Sequence, residues 1–132
     1  MKYLLDSDVI AGALKGQFAV VLKLQAMKPG EVAVSVFSQI EAETALRLAP
    51  RAQARYGKLL KEFLAAVPRL DFGAAEAQQA IVIGTYLRAA GDIMAPLDLW
   101  LAATAAANRL TLVTDRMSAF AAVPNLDVEK WA

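Results

Sequence analysis

Hydrophobic and polar positions follow two periods along this chain, and the period changes at regular intervals. Lys2 to Leu5 is a short apolar run ending at Asp6, and from Val9 to Leu14 the apolar residues take helical spacing before Gly16, which predicts a strand, a turn and a helix. Val21, Leu22 and Leu24 give Phe18 to Met27 an apolar helical face that Pro29 and Gly30 close. Glu31 to Val36 is rich in valine and predicts a second buried strand. Ser38, Gln39, Ile40 and Glu41 have the pattern of a capping box, opening a helix that runs to about Leu48.

Pro50 starts the next helix, in which Tyr56, Leu59, Leu60, Phe63, Leu64 and Val67 recur every three or four residues as one stripe, with Arg51, Arg55, Lys58 and Lys61 off it. Pro68 closes it. Arg69 to Phe72 predicts a short strand, Gly73 leads into a helix to about Ala90, and Gly91 ends that helix. Pro96 opens a helix over Leu97 to Ala107, Leu110 to Thr114 is a clean apolar strand, and a short helix near Met117 to Ala121 precedes a last strand over Leu126 to Val128. Strands alternating with helices of this length predict an α/β fold: a mostly parallel sheet of four to five strands between two helical layers, in a single domain over residues 1–132. In such sheets ligands sit outside the carboxyl ends of the strands.

Composition narrows the chemistry. The chain has neither cysteine nor histidine, so disulfides, thiolate or imidazole zinc sites and histidine-based triads are excluded, and hydrolysis would run on carboxylates, hydroxyls, Lys, Arg or a hard metal ion. Hydrophobic residues are 58% and charged residues 20%; that surplus of apolar side chains predicts a partner surface. Lys plus Arg is 14 against 13 for Asp plus Glu, so only local charge clusters bear on nucleic acid binding. The opening apolar run is too short for a secretory signal, and the stretch from Leu97 to Ala107 is too short to span a bilayer, which predicts a soluble, cytoplasmic protein.

Four acids fall where such a sheet brings residues together: Asp6 after the first strand, Glu41 early in the helix after the second, Asp98 at the start of a late helix, and Asp115 after Thr114. Carboxylates crowded in one cleft repel unless a proton or cation neutralises them, and oxygen donors at this density favour Mg²⁺ or Mn²⁺. Local roles compete with that reading. Glu41 also fits a capping box with Ser38, Asp98 fits a helix N-terminus, and Asp6 and Asp8 around Ser7 fit turn or N-cap positions.

The sequence blocks carrying these acids resemble those of PIN-domain nucleases. Tyr3 Leu4 Leu5 Asp6 Ser7 Asp8 Val9 Ile10 is similar to the family's opening, and Ser35 Val36 Phe37 Ser38 Gln39 Ile40 Glu41 to its second block. Pro96 Leu97 Asp98 Leu99 Trp100 Leu101 Ala102 Ala103 Thr104 Ala105 resembles the third and most specific block, and Leu110 to Thr114 with Phe120 the fourth. Size and block order look most like VapC-type toxins of toxin–antitoxin pairs. The resemblance implies a PIN-like three-layer fold and a Mg²⁺-dependent endoribonuclease, with Mn²⁺ as an alternative ion. It also implies Asp6, Glu41 and Asp98 as metal ligands, a homodimer, and a small antitoxin over the acidic cleft.

Arg116 and Ala119 depart from the family pattern, which usually has an amide or acid two positions after the threonine and often an acid before the phenylalanine. Either Asp115 supplies the fourth carboxylate from a shifted position, or three acids suffice with Arg116 touching phosphate. Ser7, Ser38, Arg51 and Arg55 are the other candidate RNA contacts; the arginines belong to a basic helical run that fits either a solvated face or an RNA backbone. A catalytically impaired PIN-like module binding RNA or protein is the alternative. The Asp6 Ser7 Asp8 pattern also resembles haloacid-dehalogenase phosphatases, but no lysine lies between Lys61 and Lys130 to supply that family's downstream lysine.

Overall fold

Leu4 and Leu5 are neighbours on strand β1 (Tyr3–Leu5), both fully buried, and they face opposite layers of the molecule. The computed structural model describes residues 1–132. Successive side chains of a strand point to opposite faces, so a strand apolar at every position must be covered on both. The same split holds for β2 (Val32–Ser35), where Ala33 and Val34 part company, and for β4 (Thr111–Val113), where Leu112 and Val113 do.

The sheet has five strands in the order β3-β2-β1-β4-β5, with β3 at Arg69–Leu70 and β5 at Val128–Glu129, and every pairing is parallel. One layer, built on α5 (Ala74–Ala89) and α6 (Pro96–Ala107), buries Leu4, Leu112, Ile83, Leu87, Leu101 and Phe120. Gly84 of α5 lets Leu99 of α6 come close: a Cβ there would stand 3.2 Å from Leu99 Cδ2. The other layer uses α1 (Ser7–Leu14), α2 (Phe18–Gln25), α3 (Val36–Arg47) and α4 (Pro50–Ala66) to bury Leu5, Val9, Ile10, Val34, Leu60 and Val113. The predicted α/β architecture is the one observed.

Four local expectations are corrected. The start of α3 is a simple cap and not a capping box: Ser35, still extended at the end of β2, accepts the Ser38 N–H at 3.0 Å, so the helix begins at Val36 and Glu41 has no capping role. The second strand is shorter than Glu31 to Val36, because Pro29–Glu31 forms one 3₁₀ turn in which Glu31 accepts the Lys28 N–H at 3.1 Å. On α4 the buried stripe is narrower than its periodicity, since the helix packs mainly on α3; Leu60 is buried and Leu59 is 48% exposed. The last strand starts late, because Asn125 turns the chain with a φ of 58° and Leu126 packs inward before pairing begins at Val128. A short α7 (Met117–Phe120) lies between β4 and β5.

Candidate active site

The strand order reverses at β1: β2 is placed on one side of it, β4 on the other, and the carboxyl ends of β1 and β4 flank the crevice where α/β sheets take ligands. Asp6 follows β1 directly. Its backbone N–H extends the ladder to Val113 O at 2.9 Å, and its side chain is fully buried. One carboxylate oxygen, Oδ1, caps α1 by accepting the Ser7 N–H at 2.7 Å. The other, Oδ2, faces the crevice and accepts from Thr114 Oγ1 at 2.8 Å and Arg116 Nη2 at 3.0 Å. Asp6 therefore fills the structural and the site role at once, one oxygen to each.

Asp98 arrives from the other side in the first turn of α6, which Pro96 starts. Arg116 grips it with a two-pronged contact, Nη2 to Oδ1 at 2.9 Å and Nη1 to Oδ2 at 3.2 Å. The guanidinium thus bridges Asp6 and Asp98 and also lies over the Phe120 ring, 5.5 Å from its centroid. The hydrogen bonds to Asp98 and Asp6 hold its pKa above the usual arginine range. Glu41, on α3, meets the group through Ser7, whose Oγ lies 3.5 Å from Glu41 Oε1. Its pKa is pushed up by partial burial and by the charges of Asp6 and Asp98, with Arg116 acting in the opposite direction.

Asp115 does not join these three. Its backbone N–H donates to Asp8 Oδ2 at 3.1 Å, and Oδ1 of each side chain is buried with no hydrogen-bond partner. Burial and the charges of Asp6 and Asp115 raise the Asp8 pKa, against the backbone hydrogen bond. From sequence Asp8 fits a turn or cap role, and the signal that could have found it is its place two residues after Asp6 in the opening block. Ser38 is corrected outright: it is fully buried and bonded to Ser35, so it has no surface to offer RNA. Ser7, Glu41 and Arg116 line a cleft of about 640 Å³ together with Ala52 and Tyr56 of α4. Arg51 and Arg55 are exposed on that same helix, with the Arg55 guanidinium 5.4 Å from the Tyr56 ring centroid.

No three acidic side chains are drawn together as a ligand cage in this arrangement; Arg116 stands between two of them. The donor set nevertheless suits a hard divalent ion. All donors are carboxylate oxygens, and the three acids Asp6, Glu41 and Asp98 face the single guanidinium of Arg116. A second feature the sequence did not announce is an aromatic cluster of Phe37, Phe72 and Trp100, with ring centroids 5.2, 5.6 and 6.3 Å apart.

Residues 3–123 match the model of the PIN domain, and the chain belongs to the PIN-domain family. Within it the likeness is to the VapC type. A chain of DNA-bound VapBC from Salmonella typhimurium has a TM-score of 0.89 at 20% identity, covering 100% of this chain and 99% of that one. VapBC2 from Rickettsia felis, bound to a fragment of promoter DNA, gives 0.86 at 25% identity over 100% of both chains. VapBC-5 from Mycobacterium tuberculosis, a member of the VapBC family of toxin–antitoxin systems, gives 0.72 at 23% identity, covering 98% of this chain and 96% of that one. No curated protein matches the sequence, and no helix is long and apolar enough to cross a membrane.

Proposed function

We propose that this chain is a divalent-metal-dependent endoribonuclease that hydrolyses RNA phosphodiesters and acts as the toxin of a toxin–antitoxin pair. The observation that carries the reading is the buried Asp6, which keeps one oxygen for the helix and turns the other into a crevice shared with Asp98 and Glu41. Asp6, Glu41 and Asp98 are the residues that would hold Mg²⁺, or Mn²⁺ in its place. Bound there, such an ion supplies Lewis acidity toward the phosphoryl group and an activated water.

The chain's own groups do the rest. Thr114 orients the Asp6 carboxylate toward the crevice. Asp115 assists from the side by holding Asp8 in place through its backbone N–H, and Asp8 takes up a proton more readily than an ordinary aspartate. Ser7 and Arg116 at the crevice, with Arg51 and Arg55 on α4, contact the RNA phosphates. The apolar part of the cleft suits a segment of a small antitoxin, whose seat would close the way to the acids. Ile81, Val82 and Tyr86, exposed on α5, suit a second copy of the chain in a homodimer. With RNA as its substrate, the protein would work in the cytoplasm.

Antitoxin-free protein should cleave RNA with Mg²⁺, stop on addition of a chelator, and lose cleavage in Asp6→Asn and in Asp98→Asn while keeping its circular dichroism. Cleavage that survives both substitutions rejects the assignment. The Arg116 bridge over two of the acids also favours a second reading, an impaired module that binds RNA or protein, for which no metal concentration gives turnover.

A further inference from the structure

Arg116 is the one cation in contact with the acids of the crevice, and its attachment has two separable parts. The backbone is anchored: Arg116 N–H donates to Thr114 Oγ1 at 3.1 Å, and that same hydroxyl donates to Asp6. The side chain is long, 46% exposed and held at its tip by Asp6 and Asp98 alone among the acids. A guanidinium that spans two carboxylates occupies the space between them, and the oxygens it engages, Asp6 Oδ2 and both oxygens of Asp98, are those a divalent ion would need. Its single charge is less than that of the ion proposed for the same acids. That exposure lets the tip exchange its carboxylate contacts for water, and a doubly charged ion can take its place while the backbone stays anchored.

We infer that Arg116 is a resident counter-ion of the acid site, competing directly with the divalent cation for Asp6 and Asp98, so that metal binds only as the guanidinium swings out. This rests on the metal-site reading above. It makes the metal affinity of the chain a difference between two cations rather than a property of the carboxylates alone. It also accounts for the lack of a preformed cage: with the arginine in place, the aspartates are set to its fork and not to an ion.

The test is equilibrium Mn²⁺ binding to the full chain, read from free Mn²⁺ by electron paramagnetic resonance, with no activity measured. Wild type is compared with Arg116→Gln and with Lys15→Gln, which removes an equal charge from the same cleft without touching either aspartate. Direct competition gives Arg116→Gln an affinity at least about tenfold higher, while Lys15→Gln stays within about twofold of wild type. Equal gains in the two variants, or none in Arg116→Gln, overturn the inference while leaving the metal reading standing. If no protein binds Mn²⁺, the metal reading falls and takes this inference with it. Should Arg116→Gln not fold, the wild-type Arg116 Nε–H resonance decides: its exchange with water speeds up on saturation with Mg²⁺ if the tip is displaced, and an unchanged rate overturns the inference.

Discussion

Thr114 and Asp6 lie 108 residues apart in sequence and 2.8 Å apart in space, the threonine hydroxyl donating to the aspartate Oδ2 with both residues fully buried. A buried carboxylate that loses a donor keeps its desolvation cost, which for one hydrogen bond to a charged group is about 1–3 kcal/mol. Thr114→Val, nearly the same shape without the hydroxyl, should therefore lose stability of about that size in urea denaturation, and Thr114→Ser should recover most of it.

Asp8 gives the molecule an acid-side signature. Burial, followed by the charges of Asp6 and Asp115, raises its pKa from the ordinary 3.8, so the folded chain holds this proton at pH values where the unfolded chain has released it. Stability then falls as pH rises through that window and stays lower above it. Asp8→Asn removes the penalty. Its melting temperature should exceed that of wild type at pH 7, and the gain should vanish near pH 3, where the wild-type carboxyl is protonated in both states.

Metal binding should be visible as stability. An ion that binds only the folded chain adds about 2.7 kcal/mol at 100 times its dissociation constant. Titration with Mn²⁺ should raise the melting temperature of wild type and leave Asp98→Asn almost unmoved; equal rises in both would place the ion elsewhere.

The exposed arginines of α4 make a quantitative claim about RNA. Each phosphate neutralised on a single strand contributes about 0.7 to the slope of log affinity against log salt. In an Asp98→Asn background, expected to leave RNA intact, changing Arg51 and Arg55 to Gln should reduce the slope by about 1.4 and weaken binding at low salt. An unchanged slope assigns these two residues to a solvated face.

Much of the layered fold was legible because its signals are local. The apolar strands and the proline and glycine stops mark most elements to within a residue or two, as Pro50–Ala66 and Pro96–Ala107 show. Misplaced ends have more than one cause: the chain turns locally at Pro29–Glu31 and at Asn125, and a cap is taken by the residue that ends a strand. Ser35 takes the cap of α3 because it ends a buried strand, and no spacing rule separates it from Ser38. At the site, Asp6, Asp98 and Glu41 were readable as acids at strand ends and helix starts. The pairing of Asp8 with Asp115, and the reach of Arg116 to two aspartates, were not, because each depends on β1 and β4 lying side by side.

Ala11, Ala42, Ala45, Ala49 and Ala52 line the same cleft as Glu41 and Arg116. Bare methyl groups offer smooth contact and no hydrogen bonds, so a great range of greasy helical segments can press against them about equally well. Were the proposed antitoxin to seat in this cleft, the choice among inhibitors would fall to whatever meets Glu41 and Arg116, and such inhibitors would be free to drift except in the few side chains that reach those two groups.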